Sequence, residues 1–397
     1  MALNTWPNLS IFTMPSHFIL PFFFIFSIFT VESTTSPGDI TALMAFKSAV
    51  KPASIPPTSC LATWNFSTDP CSAPRTTDFT CGVTCSGNRV IQLTLDSQSY
   101  SGTLSPLISK LTRLITLDLS DNAFYGTIPS SISSLLNLKS LILRANYFEG
   151  SIPSSLTNLK SLETLDVSHN SLSGTLPDMN SLTGLANLDV SYNNLTENIP
   201  ILPPNLKELA IKSNSLSGYL PIYSFSGMAL LMVLELSDNL FSGTLDSWLF
   251  LLPSLQQVNL SNNSFTIAFV AKPPSGFGSD LVAVDLSFNK IEGLLPVNFT
   301  EYPMLRSLAL SHNHFRGPIP KQFSRMEYLQ RLYLDGNYLN GSPPAGLFAG
   351  GGPVSGSLGD NCLENCPVSS ELCSKLQKPK SVCQQAYGGK HEVSRVS

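Results

Sequence analysis

The sequence predicts an α/β solenoid: a right-handed coil of stacked units, a parallel sheet on its concave face, and a disulfide-bonded cap at each end. Three observations lead there. Leucines recur with a period near 24 residues, an asparagine recurs in step with them, and eight cysteines form two groups of four that bracket the repeating stretch. The 397 residues are 43% hydrophobic and only 13% charged, against a typical quarter charged. That is too apolar for disorder and more chain than one core usually accommodates. A net charge of −4 excludes the basic footprint of a nucleic-acid binder.

The repeat carries most of the information and is read first. Eleven units begin at Val90, Leu114, Leu138, Leu162, Leu185, Leu206, Leu231, Leu255, Leu281, Leu305 and Leu329, at intervals of 21 to 26 residues. In the unit LITLDLSDNAFYGTIPSSISSLLN the landmarks are Leu114, Leu117, Leu119, Asn122, Phe124, Ile128, Ile132 and Leu135. Leucines two residues apart in a strand face the same side. Ordering a unit costs about 1–2 kcal/mol per residue, while each buried leucine returns roughly 1.5–3 kcal/mol. A lone unit therefore does not fold, and stacked units share a core. The asparagines Asn122, Asn146, Asn170, Asn193, Asn214, Asn239, Asn263, Asn289, Asn313 and Asn337 are expected to bond along the turns as a ladder, with Gln98 replacing the first.

The ends of the chain point outside the cell. Phe18–Phe29 is a nearly unbroken apolar run of twelve residues, short of the ~20 needed to span a bilayer and suited to a signal peptide. Cleavage is expected near Ser33, leaving a secreted chain without a C-terminal anchor, because the C-terminal stretch has no hydrophobic tail; a retained N-terminal anchor is the alternative reading. Cys60, Cys71, Cys81 and Cys85, with Cys362, Cys366, Cys373 and Cys383, read as disulfides of an oxidising compartment. Each group allows three pairings. No histidine falls at ligand distance in either group, so neither a metal nor a cofactor is expected. Sequons at Asn65, Asn194, Asn259, Asn262 and Asn298 are expected glycosylation sites.

The stretch 90–347 resembles the plant extracellular type of leucine-rich repeat, marked by G-x-[IL]-P at Gly126–Pro129, Gly150–Pro153, Gly174–Pro177, Gly218–Pro221, Gly293–Pro296 and Gly317–Pro320. The segment 38–85 is similar to that family's N-terminal cap, with the helix GDITALMAFKSAV, then Trp64, Asp69–Pro70–Cys71 and Cys81–Gly82–Val83–Thr84–Cys85. Asp39 suits a helix N-cap, and Ile40, Leu43, Phe46 and Val50 form an apolar stripe to cover the first repeat. The resemblance divides the chain into a signal peptide (1–33), an N-terminal cap (34–89), eleven repeats (90–347), a C-terminal cap (348–385) and a polar tail expected to be disordered (386–397).

In such proteins the inner strand surface binds proteins, peptides or small hormones. The resemblance thus implies a recognition protein that acts on an extracellular ligand or a membrane receptor kinase in plant defence or development. It would sit in the apoplast or cell wall, or at the plasma membrane through a receptor. Most concave positions follow the family's LDLS pattern. The departures are Ile142 with Arg144, Ala210 with Lys212, then Glu235, Ala309 and Tyr333, and these are the candidate ligand contacts. No strand carries the Arg-x-Arg pair with which family members often hold a peptide C-terminus. A second reading is an inhibitor of secreted cell-wall hydrolases, similar to polygalacturonase-inhibiting proteins. Those usually place a cysteine before the cap helix, where this chain has Ser36–Pro37–Gly38–Asp39. Unit eight, FTIAFVAKPPSGFGSD, lacks its G-x-I-P and is expected to form a loop offering Phe269, Val270 and Phe277. No catalytic motif is present, and no enzymatic activity is expected.

Overall fold

The computed structural model describes residues 34–71, 82–276, 278–349 and 354–388. The proposed signal peptide, Cys81, Phe277 and residues 389–397 lie outside them. The strands begin at the N-terminal cap, where Val83–Ser86 pairs antiparallel with Arg89–Thr94. From there each unit adds one three-residue strand in parallel, giving thirteen among the described residues. Adjacent units stay in step throughout: Asp118 faces Ile142, Ile142 faces Asp166, Asp189 faces Ala210 and Ala210 faces Glu235. The last pairing, Arg331–Tyr333 with Ser355–Ser357, extends the sheet into the region assigned to the C-terminal cap. A twelfth unit therefore stands where eleven were expected.

The leucine pattern produces the core as read. Leu117, Leu119, Leu141, Leu143, Leu165 and their counterparts are fully buried, and the phenylalanines after the ladder asparagines stack along the axis. Phe124 lies 6.3 Å from Phe148, and Phe241 lies 6.5 Å from Phe265. After five of the six G-x-[IL]-P prolines, Pro177 being the exception, a short 3-10 turn such as Ser130–Ser134 or Ser154–Asn158 buries an apolar residue, here Ile132 or Leu156. Between the asparagine and that proline runs a second parallel sheet, which the repeat pattern did not announce. Eight strands run from Ser101–Gly102 to Ser264–Ala268 and four from Glu292–Leu294 to Cys362–Leu363. The break falls at unit eight. There the loop is held rather than loose: Asn298 Nδ2 donates to the Val270 carbonyl (2.9 Å), Tyr302 Oη to that of Ala271 (3.0 Å), and Val270 is buried while Phe269 is exposed.

The ladder exists, and its bonds can be followed rung by rung. Asn146 Oδ1 accepts from the Phe124 N–H at 2.9 Å, and its Nδ2 donates to the carbonyls of Leu119 (2.9 Å), Leu143 (3.2 Å) and Arg144 (3.1 Å). Asn239, Asn263, Asn289, Asn313 and Asn337 repeat the arrangement, and Asn361 adds an unforeseen rung through Leu339 N–H and the Leu334 carbonyl. To aim its amide inward, the chain turns sharply just before each asparagine. Asp121, Ala145, His169, Tyr192, Ser213, Asp238, Asn262, Phe288 and His312 all have φ between 51° and 56°. That left-handed region costs roughly 1–2 kcal/mol for a residue with a side chain, which the buried amide bonds offset. Gly336 takes the slot in the next unit, where a Cβ would come within 2.5 Å of the His312 ring.

The caps close both ends. Helix Pro37–Ala49 begins after Ser36, with no side-chain cap. Asp39 is therefore not the N-cap; it lies in the first turn, fully buried. Its carboxylate accepts two 3.0 Å bonds from Arg89 and one of 2.8 Å from the Val90 N–H, tying the helix to the first repeat. Leu43, Phe46 and Val50 are buried as expected, joined by Ala42, while Ile40 is only half covered. The disulfides are Cys71–Cys85, Cys362–Cys383 and Cys366–Cys373; Cys60 is buried at the N-terminal cap. At the other end, helix Lys380–Gly388 continues past the expected boundary at 385. Arg316 Nη1 donates to the Ala386 carbonyl (2.8 Å), and Tyr387 Oη accepts from the Gly317 N–H (3.0 Å) and donates to the Tyr338 carbonyl. Residues 386–388 are thus part of the folded cap.

Two stability predictions follow from these bonds. Asn239→Ala leaves the Leu216 N–H and the Ile211 carbonyl without their amide partner, and is expected to lower unfolding free energy by about 1–3 kcal/mol. Exposed Asn205→Ala should change it by less than about 0.5 kcal/mol, both read by chemical denaturation. Asp39→Ala strands Arg89 and is expected to cost about 3 kcal/mol, with proteolysis of the cap before the repeats in a time course.

Candidate functional site

The concave face is the outward side of the thirteen-stranded sheet, so the register of that sheet decides which candidates meet. Each strand alternates a buried leucine with side chains that stand on the open surface. The central column runs in register from Asp118 through Ile142, Asp166, Asp189, Ala210, Glu235, Asn259, Asp285 and Ala309 to Tyr333. The seven candidates separate into two groups along it. Glu235, Ala309 and Tyr333 line one basin of about 740 Å³ over units seven to eleven, whereas Ile142, Arg144, Ala210 and Lys212 lie outside it, on earlier units.

Those earlier cations are already engaged by carboxylates from the left-handed slots. Arg144 Nη2 lies 3.3 Å from Asp121 Oδ2, and Lys212 Nζ lies 3.7 Å from Asp238 Oδ2 and 5.8 Å from the Tyr192 ring centre. Burial works to lower the Lys212 pKa, but Tyr192, Glu235 and Asp238 together hold it above its ordinary value. The acidic part of the column behaves differently. Burial pushes the Asp166 carboxyl up; bonds from Ser168 only partly offset this, and Asp189 on the next strand adds to the rise.

The basin has unlike ends. At unit seven Glu235 accepts from the Ser237 N–H (3.1 Å) and from Asn259 Nδ2 (2.8 Å), with Asp285 two strands further on. At unit eleven stand Arg331, Tyr333 and Asp335 with Lys375. Asp335 is nearly buried and accepts from Ser311 Oγ (2.6 Å) and Lys375 Nζ (2.8 Å). Burial would raise its pKa, but those two partners outweigh burial and hold the carboxyl below its ordinary value. The same bond pushes Lys375 up. Along the rim, His312 stacks on Phe288 at 4.4 Å, as His169 does on Tyr192 at 4.1 Å. Sequence reasoning missed Arg331, Asp335 and Lys375 as one cluster. Lys375 is 40 residues from Asp335 in the chain, and no repeat period connects a cap residue to a strand.

Of the sequons, Asn65, Asn194 and Asn262 are exposed, whereas Asn259 and Asn298 are half-buried with their amides bonded to Glu235 and Val270.

A sheet of this register, closed by caps and walled by a ladder, can be set beside known proteins. The family model described as leucine rich repeat matches residues 112–172, 204–265 and 279–339, and that described as leucine rich repeat N-terminal domain matches 36–86. The chain belongs to the leucine-rich-repeat family. Within that family it is of the plant extracellular type. It is 36% identical over 96 residues to Receptor-like protein 7 of Arabidopsis thaliana, covering 23% of this chain and 9% of that protein. The crystal structure of PEPR1–AtPEP1 is similar at 32% identity and a TM-score of 0.73, covering 82% of this chain and 45% of the other. The plant peptide hormone receptor RGFR1 in complex with RGF2 is similar at 29% identity and a TM-score of 0.67, covering 75% and 48%. The chain therefore spans less than half the length of each. The fold is shared with these two receptor structures. No helix among the described residues is long and apolar enough to cross a membrane.

The Asp335 cluster generates a pH prediction. A carboxyl whose folded pKa is depressed stabilises the fold above its unfolded pKa, near 3.9, and loses that contribution as pH falls through the folded value. The wild-type chain should therefore be more stable than Asp335→Asn at pH 7, and the difference in Tm should shrink as pH falls below about 4. Calorimetry of the two proteins across that range checks it.

Proposed function

We propose that this chain is a secreted recognition protein that binds an extracellular protein or peptide in its concave basin and acts with a membrane receptor kinase in plant defence or developmental signalling. The observation that carries this reading is the basin of units seven to eleven. Five strands at about 4.8 Å span roughly 20 Å, enough for about six extended residues. Glu235 stands at one end and Asp285 on the middle strand; Arg331, which makes no ion pair among the described residues, stands at the other end with Tyr333. Such a surface suits a dipolar peptide segment lying along the solenoid, its cationic group at Glu235 and its acidic group at Arg331, with Tyr333 supplying rigid contact area. Two similar solved structures support the reading: one pairs PEPR1 with AtPEP1, the other a peptide hormone receptor with RGF2. The disulfides fit an oxidising compartment, and we infer glycans at the exposed sequons Asn65, Asn194 and Asn262.

The test is affinity capture with the tagged, secreted full chain in plant wall and membrane extracts, read by mass spectrometry. A signalling peptide or receptor kinase is the expected enriched species, and Arg331→Ala with Tyr333→Ala should reduce its capture at least about tenfold, as loss of two anchoring contacts does, with unchanged Tm. Enrichment of a wall-degrading hydrolase that the chain inhibits, with no kinase or peptide above background, would sink the signalling reading.

A further inference from the structure

Away from the basin, a second surface is built from a different chemistry. The residues that lead into the concave strands form a rim on units one to six, and two hollows of about 300 and 650 Å³ follow it. Asn137 lines the smaller hollow, and Lys139, two residues on in the chain, lines the larger. Their linings hold five cations, Arg89, Arg113, Lys139, Lys160 and Lys207, against one carboxylate, Glu163. The excess is four positive charges on a chain whose net charge is −4. Each charge that opposes it can be named. Glu163 holds Lys139 at 2.7 Å, buried Asp39 holds Arg89, and Glu208 follows Lys207 on the strand itself. Arg113 and Lys207 make no ion pair among the described residues, and both are exposed.

What lies between the cations decides which polyanion fits. The larger hollow carries Thr164, Thr183, Asn187 and Asn205, which donate to and accept from hydroxyls, and two of its twelve lining residues, Ala186 and Leu230, are apolar. A peptide bound through its carboxylates would also have apolar side chains to bury, and the larger hollow offers them Ala186 and Leu230 alone. We infer that the rim binds a linear, hydroxyl-rich polycarboxylate, an acidic polysaccharide, with carboxylates on Arg113, Lys139 and Lys207 and hydroxyls on the intervening amides. Successive turns stand about 4.8 Å apart and the cations are spread over units one to six, so only a chain of several anionic sugars reaches Arg113, Lys139 and Lys207 together. The rim and the basin occupy different units, and the inference does not depend on the proposed signalling role.

The experiment uses the secreted full chain and three probes of equal length: oligogalacturonate, a neutral oligosaccharide and polyglutamate. Oligogalacturonate should bind, and its affinity should fall at least about tenfold when ionic strength is raised from 0.05 to 0.5 M, since exposed charges are screened. The neutral probe should not bind. Arg113→Ser with Lys139→Ser and Lys207→Ser should weaken binding tenfold or more with Tm unchanged, while Lys290→Ser with Lys321→Ser, away from both hollows, should leave it intact. No binding of oligogalacturonate, or binding indifferent to the rim substitutions, overturns the inference. Polyglutamate binding as tightly as oligogalacturonate overturns the saccharide assignment and makes the rim an acidic-peptide site.

Discussion

The fold depends on a side-chain amide buried between turns. A ladder asparagine takes one N–H from the turn before it and returns its own hydrogens to carbonyls of both turns, so its bonds close only when the two units are stacked in register. This explains where the chain tolerates length variation. The steps from strand to asparagine never change, since every rung donates to the carbonyls two and three residues back. The insertions and deletions fall after it: the bond from the preceding turn spans 19 residues at Asn214 and 24 at Asn289. The concave sheet consequently keeps one register through a short fifth unit and a long eighth, while the second sheet is interrupted.

That geometry has a local cost with a functional use. The left-handed residue before each asparagine is exposed or half-exposed and held in one orientation by bonds on both sides of it, such as Asp121 N–H to the Arg144 carbonyl. A side chain placed there lies along the rim of the concave face without disturbing the core. Asp121 and Asp238 use the position to engage Arg144 and Lys212; Phe288 and His312 use it to build an aromatic wall beside the basin. Polar and aromatic decoration can thus vary while the leucines beneath remain constant.

The caps do more than cover apolar ends. Asp39 fastens the first helix to the first repeat with a charge that has no access to water. At the other end Lys375 reaches from the cap to Asp335, so the wall of the basin at unit eleven belongs partly to the cap. Any ligand held there would be sensitive to the integrity of the nested pair Cys362–Cys383 and Cys366–Cys373.

The sequence by itself determined the solenoid, the concave column and the ladder, because each is a periodic requirement: leucines must face one core, and a buried amide must find the same partners in every turn. It also marked Glu235, Ala309 and Tyr333 as departures from that period. It did not disclose Asn361, whose unit lacks the leucine spacing of the others, nor the second sheet, whose short strands pair by backbone bonds that no side-chain pattern records. Capping is local, so the sequence alone makes Asp39 a helix cap, whereas its actual partner, Arg89, is 50 residues away. The disulfide pairing, the Asp335–Lys375 bond and the separation of Arg144 and Lys212 from the basin were decided only by tertiary structure. Each depends on which distant groups arrive at one place, and that distance is set by the stacking of turns, not by the order of residues.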